Sequence, residues 1–91
     1  MNFNRVILYY NFVPIADPEA VKLWQKTLCE SLNIKGRILI SSQGINGTLG
    51  GHMDDIKKYI KNTREYPGFK KIDFKWSQGT GNDFPKLKIQ V

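Results

Sequence analysis

Few residues of this chain have the chemistry of an active site. There is one cysteine, Cys29, and one histidine, His52, and neither has a partner at a useful spacing. A metal centre needs several converging histidine, cysteine or carboxylate ligands. Asp54-Asp55 beside His52 read instead as charges at the start of a helix. Cys29 falls within a helical pattern with no sign of an activating neighbour, so it is expected to be a small packed thiol and not the nucleophile of a Cys/His pair. No catalytic residue, no metal ligand and no cofactor are therefore expected. The cations remain. Lysine and arginine outnumber aspartate and glutamate by 14 to 8, a net charge of +6, which suits an anionic partner. Arg37, Lys71, Lys75, Lys86 and Lys88 are the candidates for contacts with nucleic-acid phosphates. The same surplus also serves to keep a small domain dissolved, and charge alone does not separate the two. One backbone candidate stands beside them. The amides of Gly44-Ile45-Asn46-Gly47 could cradle a phosphate, but no P-loop lysine-serine pair follows and no Rossmann unit surrounds them. A tight hairpin demands such glycines without any ligand.

That hairpin is the centre of the chain. Ile38-Leu39-Ile40, after Gly36-Arg37, is a β-branched run that reads as a strand. Ser42 to Ile45 is the preferred turn, and Asn46-Gly47-Thr48-Leu49 returns before Gly50-Gly51 stops it. Asn46-Gly47 as a type I′ turn would leave too few residues for a returning strand. Gly44, Asn46 and Gly47 are thus assigned to the hairpin's structure, and at least one of the two glycines is expected to have φ above zero.

The remaining elements fall around it. Val6 to Phe12 is apolar at nearly every position, as in a central strand, and Pro14 ends it. Asp17-Pro18-Glu19 is a helix start: a cap, a proline at the first turn and a carboxylate at the positive dipole end. Val21, Trp24, Leu28 and Leu32 then form a buried stripe, with Asn33 or Gly36 closing the helix. His52-Met53-Asp54-Asp55 opens a second helix that buries Ile56, Tyr59 and Ile60, turns Lys57, Lys58 and Lys61 outward, and stops by Pro67-Gly68. Lys71 to Ser77 alternates, with Ile72, Phe74 and Trp76 inward; Gln78 to Asp83 reads as a loop, and Leu87 to Val91 as a last short strand. The order is β-α-β-β-α-β plus one strand. This is the α+β ferredoxin-like, or acylphosphatase-like, two-layer sandwich, with the first and third strands central. The expected core is Val6, Leu8, Tyr10, Val21, Trp24, Leu28, Ile38, Ile40, Ile56, Ile60, Phe74 and Trp76. The face left open by the helices would then show Ile7, Tyr9, Arg37, Leu39, Thr48 and Lys75: apolar in the middle, basic at its rim, and suited to being covered by protein, with the border cations available to phosphate.

Fold does not settle function. Acylphosphatases hold phosphate with a glycine-rich loop and an arginine between the first strand and first helix. Here that loop is Val13-Pro14-Ile15-Ala16-Asp17, with neither. RNA-recognition motifs stack bases on aromatics of both central strands; the third strand offers Asn46, Thr48 and Gly50 in those places, so phosphate contacts are favoured over stacking. Ninety-one residues suit one domain. No apolar run approaches the roughly 20 residues of a membrane span, no signal-peptide pattern opens the chain, and a single cysteine suits a reducing cytoplasm.

Three segments carry a family resemblance: Gly36 to Gly51, read G-R-I-L-I-S-S-Q-G-I-N-G-T-L-G-G; the opening Tyr9-Tyr10-Asn11-Phe12-Val13-Pro14-Ile15; and Phe84-Pro85-Lys86-Leu87-Lys88-Ile89 near the end. Together they resemble the amino-terminal domain of the rhodanese-containing tRNA uridine hydroxylases. The resemblance covers essentially all residues and implies a single domain, 1–91, followed in the family by a rhodanese domain. Whole members of the family hydroxylate the wobble uridine of tRNAs in an oxygen-dependent reaction, with the reactive cysteine in the rhodanese domain; Cys29 does not correspond to it. The resemblance implies a cytoplasmic, non-catalytic, RNA-binding module of a tRNA-modifying oxidoreductase. Its partners would be tRNA and the rhodanese domain, with no membrane. A purely structural domain and an acylphosphatase-like hydrolase are the alternatives.

Overall fold

The computed structural model describes every residue, Met1–Val91. Local chemistry sets the two helices. Asp17 caps α1 (Pro18–Ser31), its carboxylate accepting from the Ala20 N–H at 3.1 Å, with Pro18 in the first turn. Asn33, at φ 53°, takes the left-handed conformation that closes the helix. His52 caps α2 (Met53–Thr63), its Nδ1 accepting from the Asp54 N–H, with Asp54 and Asp55 at the positive end of the dipole.

The strands are β1 (Asn4–Phe12), β2 (Lys35–Ser41), β3 (Gly44–His52), β4 (Lys75–Gln78) and β5 (Leu87–Gln90), and they form one sheet in the order β4-β1-β3-β2-β5. β1 and β3 are central and antiparallel, as expected of a ferredoxin-like fold, and β5 adds in parallel to the outer side of β2. The hairpin turns at Ser42-Gln43, inside the preferred segment, and Asn46-Gly47 lies within β3. Both helices cover the same face, α2 over β1 and β3 and α1 over β2 and β5.

Four expectations need correction. The first is the phase of β1. Ile7 and Tyr9 are buried under the helices, while Leu8 and Tyr10 are 52% and 63% exposed and Val6 is half-buried on the open side. The reason is a partner for the phenol. The Tyr9 hydroxyl lies 2.6 Å from that of Tyr59 on α2, and the ring covers Gly47, where no Cβ intervenes. A buried hydroxyl without such a partner would cost about 1–3 kcal/mol.

The second concerns α1, whose buried centre is Val21, Gln25 and Cys29, with Trp24, Leu28 and Leu32 at its flanks. Gln25 is tolerated inside because its Oε1 accepts from Tyr59 at 2.6 Å and its Nε2 donates to Thr63 at 3.3 Å. Trp24 stacks on Tyr66 and Phe69.

Third, β4 begins only at Lys75. Ile72 and Phe74 are buried from the irregular segment before it, and Trp76, on an edge strand the helices do not reach, is 43% exposed. Fourth, neither Gly44 nor Gly47 has φ above zero; the glycines that do are Gly36 (+139°) and Gly81 (+90°). Gly44 is required by close approach instead, since a Cβ there would lie 2.3 Å from the Asn11 carbonyl oxygen of the neighbouring strand.

Candidate nucleic-acid interface

The cross-strand register arranges the open face in rows, because residues directly opposite one another share a face. One row runs Lys75, Leu8, Thr48, Arg37, Lys88 from edge to edge. The next runs Tyr10, Asn46, Leu39, Gln90, and the one nearest the hairpin turn is Phe12, Gly44, Ser41. Three of the five cations singled out from the sequence therefore meet on this face: Arg37 and Lys88 side by side at one edge and Lys75 at the other. Lys35, opposite Gly50, joins them. Lys71 lies in the turn after a short helical turn at Pro67–Phe69. Lys86 precedes β5, where its carbonyl accepts the Gly36 N–H. Those two are exposed but lie outside the sheet.

The charge on this sheet has one sign. None of the five strands contains an aspartate or glutamate. Asp73, just before β4, is the nearest carboxylate to the row in sequence, and it pairs with Lys75 at 3.5 Å between exposed side chains. Arg37 has a neutral neighbour, its Nη2 donating to Gln90 Oε1 at 3.5 Å.

Tyr10 and Phe12 are the residues the sequence reading missed. Their rings meet edge-on, centroids 4.8 Å apart, and Phe12 is 77% exposed. With Leu39, Ser41, Gly44 and Asn46 they line an open cleft of about 260 Å³ beside the hairpin turn. A strand apolar on both faces has no periodicity from which to choose its buried side. The available signal is in β3, where Ile45 and Leu49 alternate with Asn46 and Thr48. Pairing places Ile7 against Leu49 and Leu8 against Thr48.

The other candidates fare differently. The β1–α1 loop is a poor phosphate cradle. Its Val13 and Ile15 amides donate to the Gln43 and Ser42 carbonyls at 3.1 and 3.0 Å, and the Asp17 carboxylate stands at its end. Gly44 to Gly47 lie inside β3, flanked by ladder partners on both sides, so they form no free nest. Cys29 is buried, and burial, with the charge of Glu30 adding to it, pushes its thiol up to about 12. That is the reverse of nucleophile activation. No three histidine, cysteine, aspartate or glutamate side chains converge to hold a metal ion. No helix is long and apolar enough to cross a membrane.

Residues 4–91 match the family model described as the UPF0176 acylphosphatase like domain. The chain belongs to that family. Over all 91 residues it is 62% identical to a tRNA uridine(34) hydroxylase of Corynebacterium glutamicum and 60% identical to that of Corynebacterium efficiens, covering 29% of each. It is 56% identical to the enzyme of the same name from an Arthrobacter species, covering 31%. The chain thus spans less than a third of these relatives' length. Among solved structures, a BLUF protein, BlrB in its dark state, superposes with a TM-score of 0.75 at 19% identity, over 100% of this chain and 74% of that one. An acylphosphatase from Coxiella burnetii does so at 0.64 and 12%, over 94% and 93%. Likenesses at that identity speak for the fold alone.

Proposed function

We propose that this domain is the non-catalytic amino-terminal module of a cytoplasmic tRNA uridine-34 hydroxylase, where it helps to hold tRNA and packs against a rhodanese domain that carries the chemistry. The observation that supports this most is the sheet. In a chain 62% identical to enzymes of that name, five strands without a carboxylate present Lys35, Arg37, Lys75 and Lys88 on the face the helices leave uncovered. Cations gathered in this way neutralise phosphates whatever the base sequence, and so hold and orient a nucleic acid without reading it. On this reading its part in such a reaction is binding and positioning, and Cys29, buried with its thiol raised, packs the core.

The test is made on the full-length chain. Changing Arg37, Lys75 and Lys88 together to glutamine should weaken tRNA binding and flatten its dependence on salt, leaving turnover at saturating tRNA close to that of the parent. Unchanged binding and an unchanged salt slope would turn the reading towards a purely structural domain.

A further inference from the structure

We propose that the cleft formed by Tyr10, Phe12, Leu39 and Asn46 at the hairpin end of the open face takes up an unpaired nucleobase of the bound RNA. This inference rests on the tRNA-binding reading and adds a contact that phosphate recognition does not require.

Three observations carry it. The first is the state of the two rings. Tyr10 and Phe12 are 63% and 77% exposed and contact each other only edge-on, so their faces are available to a flat partner. Large aromatics left uncovered on a regular strand mark a contact site. The second is the company they keep. The row of Tyr10, Asn46 and Leu39 lies two residues along the strands from the row of Thr48, Arg37 and Lys88. That is a step of about 7 Å, close enough for one nucleotide to lay its base against the rings while its phosphate meets the guanidinium. Asn46, between Tyr10 and Leu39, adds an amide that can both donate to and accept from a base edge.

The third is the absence of carboxylates from all five strands. A protein covering this face would have to pair Lys35, Arg37 and Lys88 or leave them desolvated at a cost. Single-stranded RNA brings the negative charge and the flat apolar groups in one polymer, and aromatic side chains beside a basic track are how such strands are bound. A duplex keeps its bases stacked inside and cannot use the cleft, so the site selects a loop.

The experiment uses the full-length chain and two RNA probes: a stem–loop, and a fully paired duplex with the same stem. The double variant Tyr10→Ala/Phe12→Ala should bind the stem–loop on the order of tenfold more weakly, with the salt slope unchanged and duplex binding unaffected. The conservative pair Tyr10→Phe/Phe12→Tyr should restore it. 5-Bromouridine placed in the loop should photo-crosslink to the peptide holding Tyr10 and Phe12. Both side chains are exposed, so neither variant should disturb folding. If the alanine variant binds the stem–loop like the parent while Arg37→Gln/Lys88→Gln weakens it, the stacking site is wrong and the tRNA reading survives. If neither variant matters, both fail. If alanine leaves RNA affinity unchanged but makes the junction after residue 91 easier to cleave, protein covers the face and the inference is overturned.

Discussion

On the covered face of the sheet Tyr9 is 2% exposed, its hydroxyl joined to Tyr59 and through it to Gln25 and Thr63. One residue later, on the open face, Tyr10 is 63% exposed and meets the edge of Phe12. The two residues are chemically identical and adjacent, so apolarity did not choose between them. What differs is the supply of partners. α2 brings a phenol and α1 an amide to one side of β1, and Gly47 leaves room for a ring there. The other side offers Asn46, Gly44 and cations. A buried polar network of this kind helps to fix which face is core, because the wrong phase of β1 would take Tyr9 away from Tyr59.

The largest expected effect therefore separates those two tyrosines. Tyr9→Ala removes a fully packed ring and one of the two hydroxyl partners of Tyr59, which keeps only Gln25, and should cost about 3–5 kcal/mol in urea unfolding, the range for large aromatic truncations. Tyr10→Ala should stay within about 0.5 kcal/mol, as surface changes do. Equal losses would mean that the two faces are not as different as they look.

The glycines give the next contrast. Gly36, on the covered face of β2, has φ +139°, and a Cβ there would lie 2.2 Å from the Thr48 carbonyl oxygen. Gly50, on the open face, would bring its Cβ to 3.1 Å from the Phe84 ring, which can move aside. Gly36→Ala should cost about 1–3 kcal/mol, the scale of backbone strain, and Gly50→Ala less than about 1 kcal/mol. Thermal melts of the two variants decide it, and a reversed order would show that side-chain crowding outweighs backbone strain here.

Much of this fold could be read from local chemistry. Asp17-Pro18, Asn33 and Asp54-Asp55 mark helix ends by types that satisfy or complement orphan backbone groups, and those signals need no tertiary context. So do the alternation of Ile38 and Ile40 with Arg37 and Leu39, which placed β2 correctly, and the Ser42 turn. The errors fell where a non-local partner decides. Gln25 is absent from the expected stripe of α1, and its burial follows from Tyr59 and Thr63 beside it. β1, apolar on both sides, gave no phase. That one-residue slip hid Tyr10 and Phe12 and made the open face look suited to a covering protein, with nucleic acid confined to its basic border. Arg37, Lys75 and Lys88 could be chosen by charge, but their alignment in one row follows from strand register, which the chain order alone does not give.

Alkaline pH should act on the covered face. The Cys29 thiol, ordinarily near 9, is held at about 12 by burial, with Glu30 adding. Burial raises the Tyr9 and Tyr59 phenols well above their usual 10. Each group keeps its proton in the folded chain at a pH where the unfolded chain has lost it. Their effect on stability is nil below about pH 9, and stability then falls as pH rises towards the folded values. Each contributes about 1.4 kcal/mol per pH unit above its unfolded value. Urea midpoints measured from neutral to strongly alkaline pH should be level and then drop, and Cys29→Ala should move the onset from about 9 to about 10. A midpoint that stays level beyond about pH 10 would show that the buried network is open to solvent.

The smallest effect separates the two edges of the open face. Lys75 and Arg37 both lie in the row that crosses Leu8 and Thr48, yet Lys75 has Asp73 at 3.5 Å and Arg37 has only neutral Gln90. An ammonium already close to a carboxylate has less counterion to release when a phosphate arrives, and Asp73 repels that phosphate. Arg37 carries neither handicap, and its planar fork can meet two phosphate oxygens at once. With full-length chain and tRNA, Arg37→Gln should reduce the slope of log affinity against log salt by about 0.7–0.9, the share of one phosphate contact. Lys75→Gln should reduce it by less. Asp73→Asn should sharpen the test by strengthening binding at low salt, and that gain should shrink when Lys75 is also removed. If Lys75→Gln flattens the slope more than Arg37→Gln does, the nucleic acid tracks the β4 edge and not the β2–β5 edge.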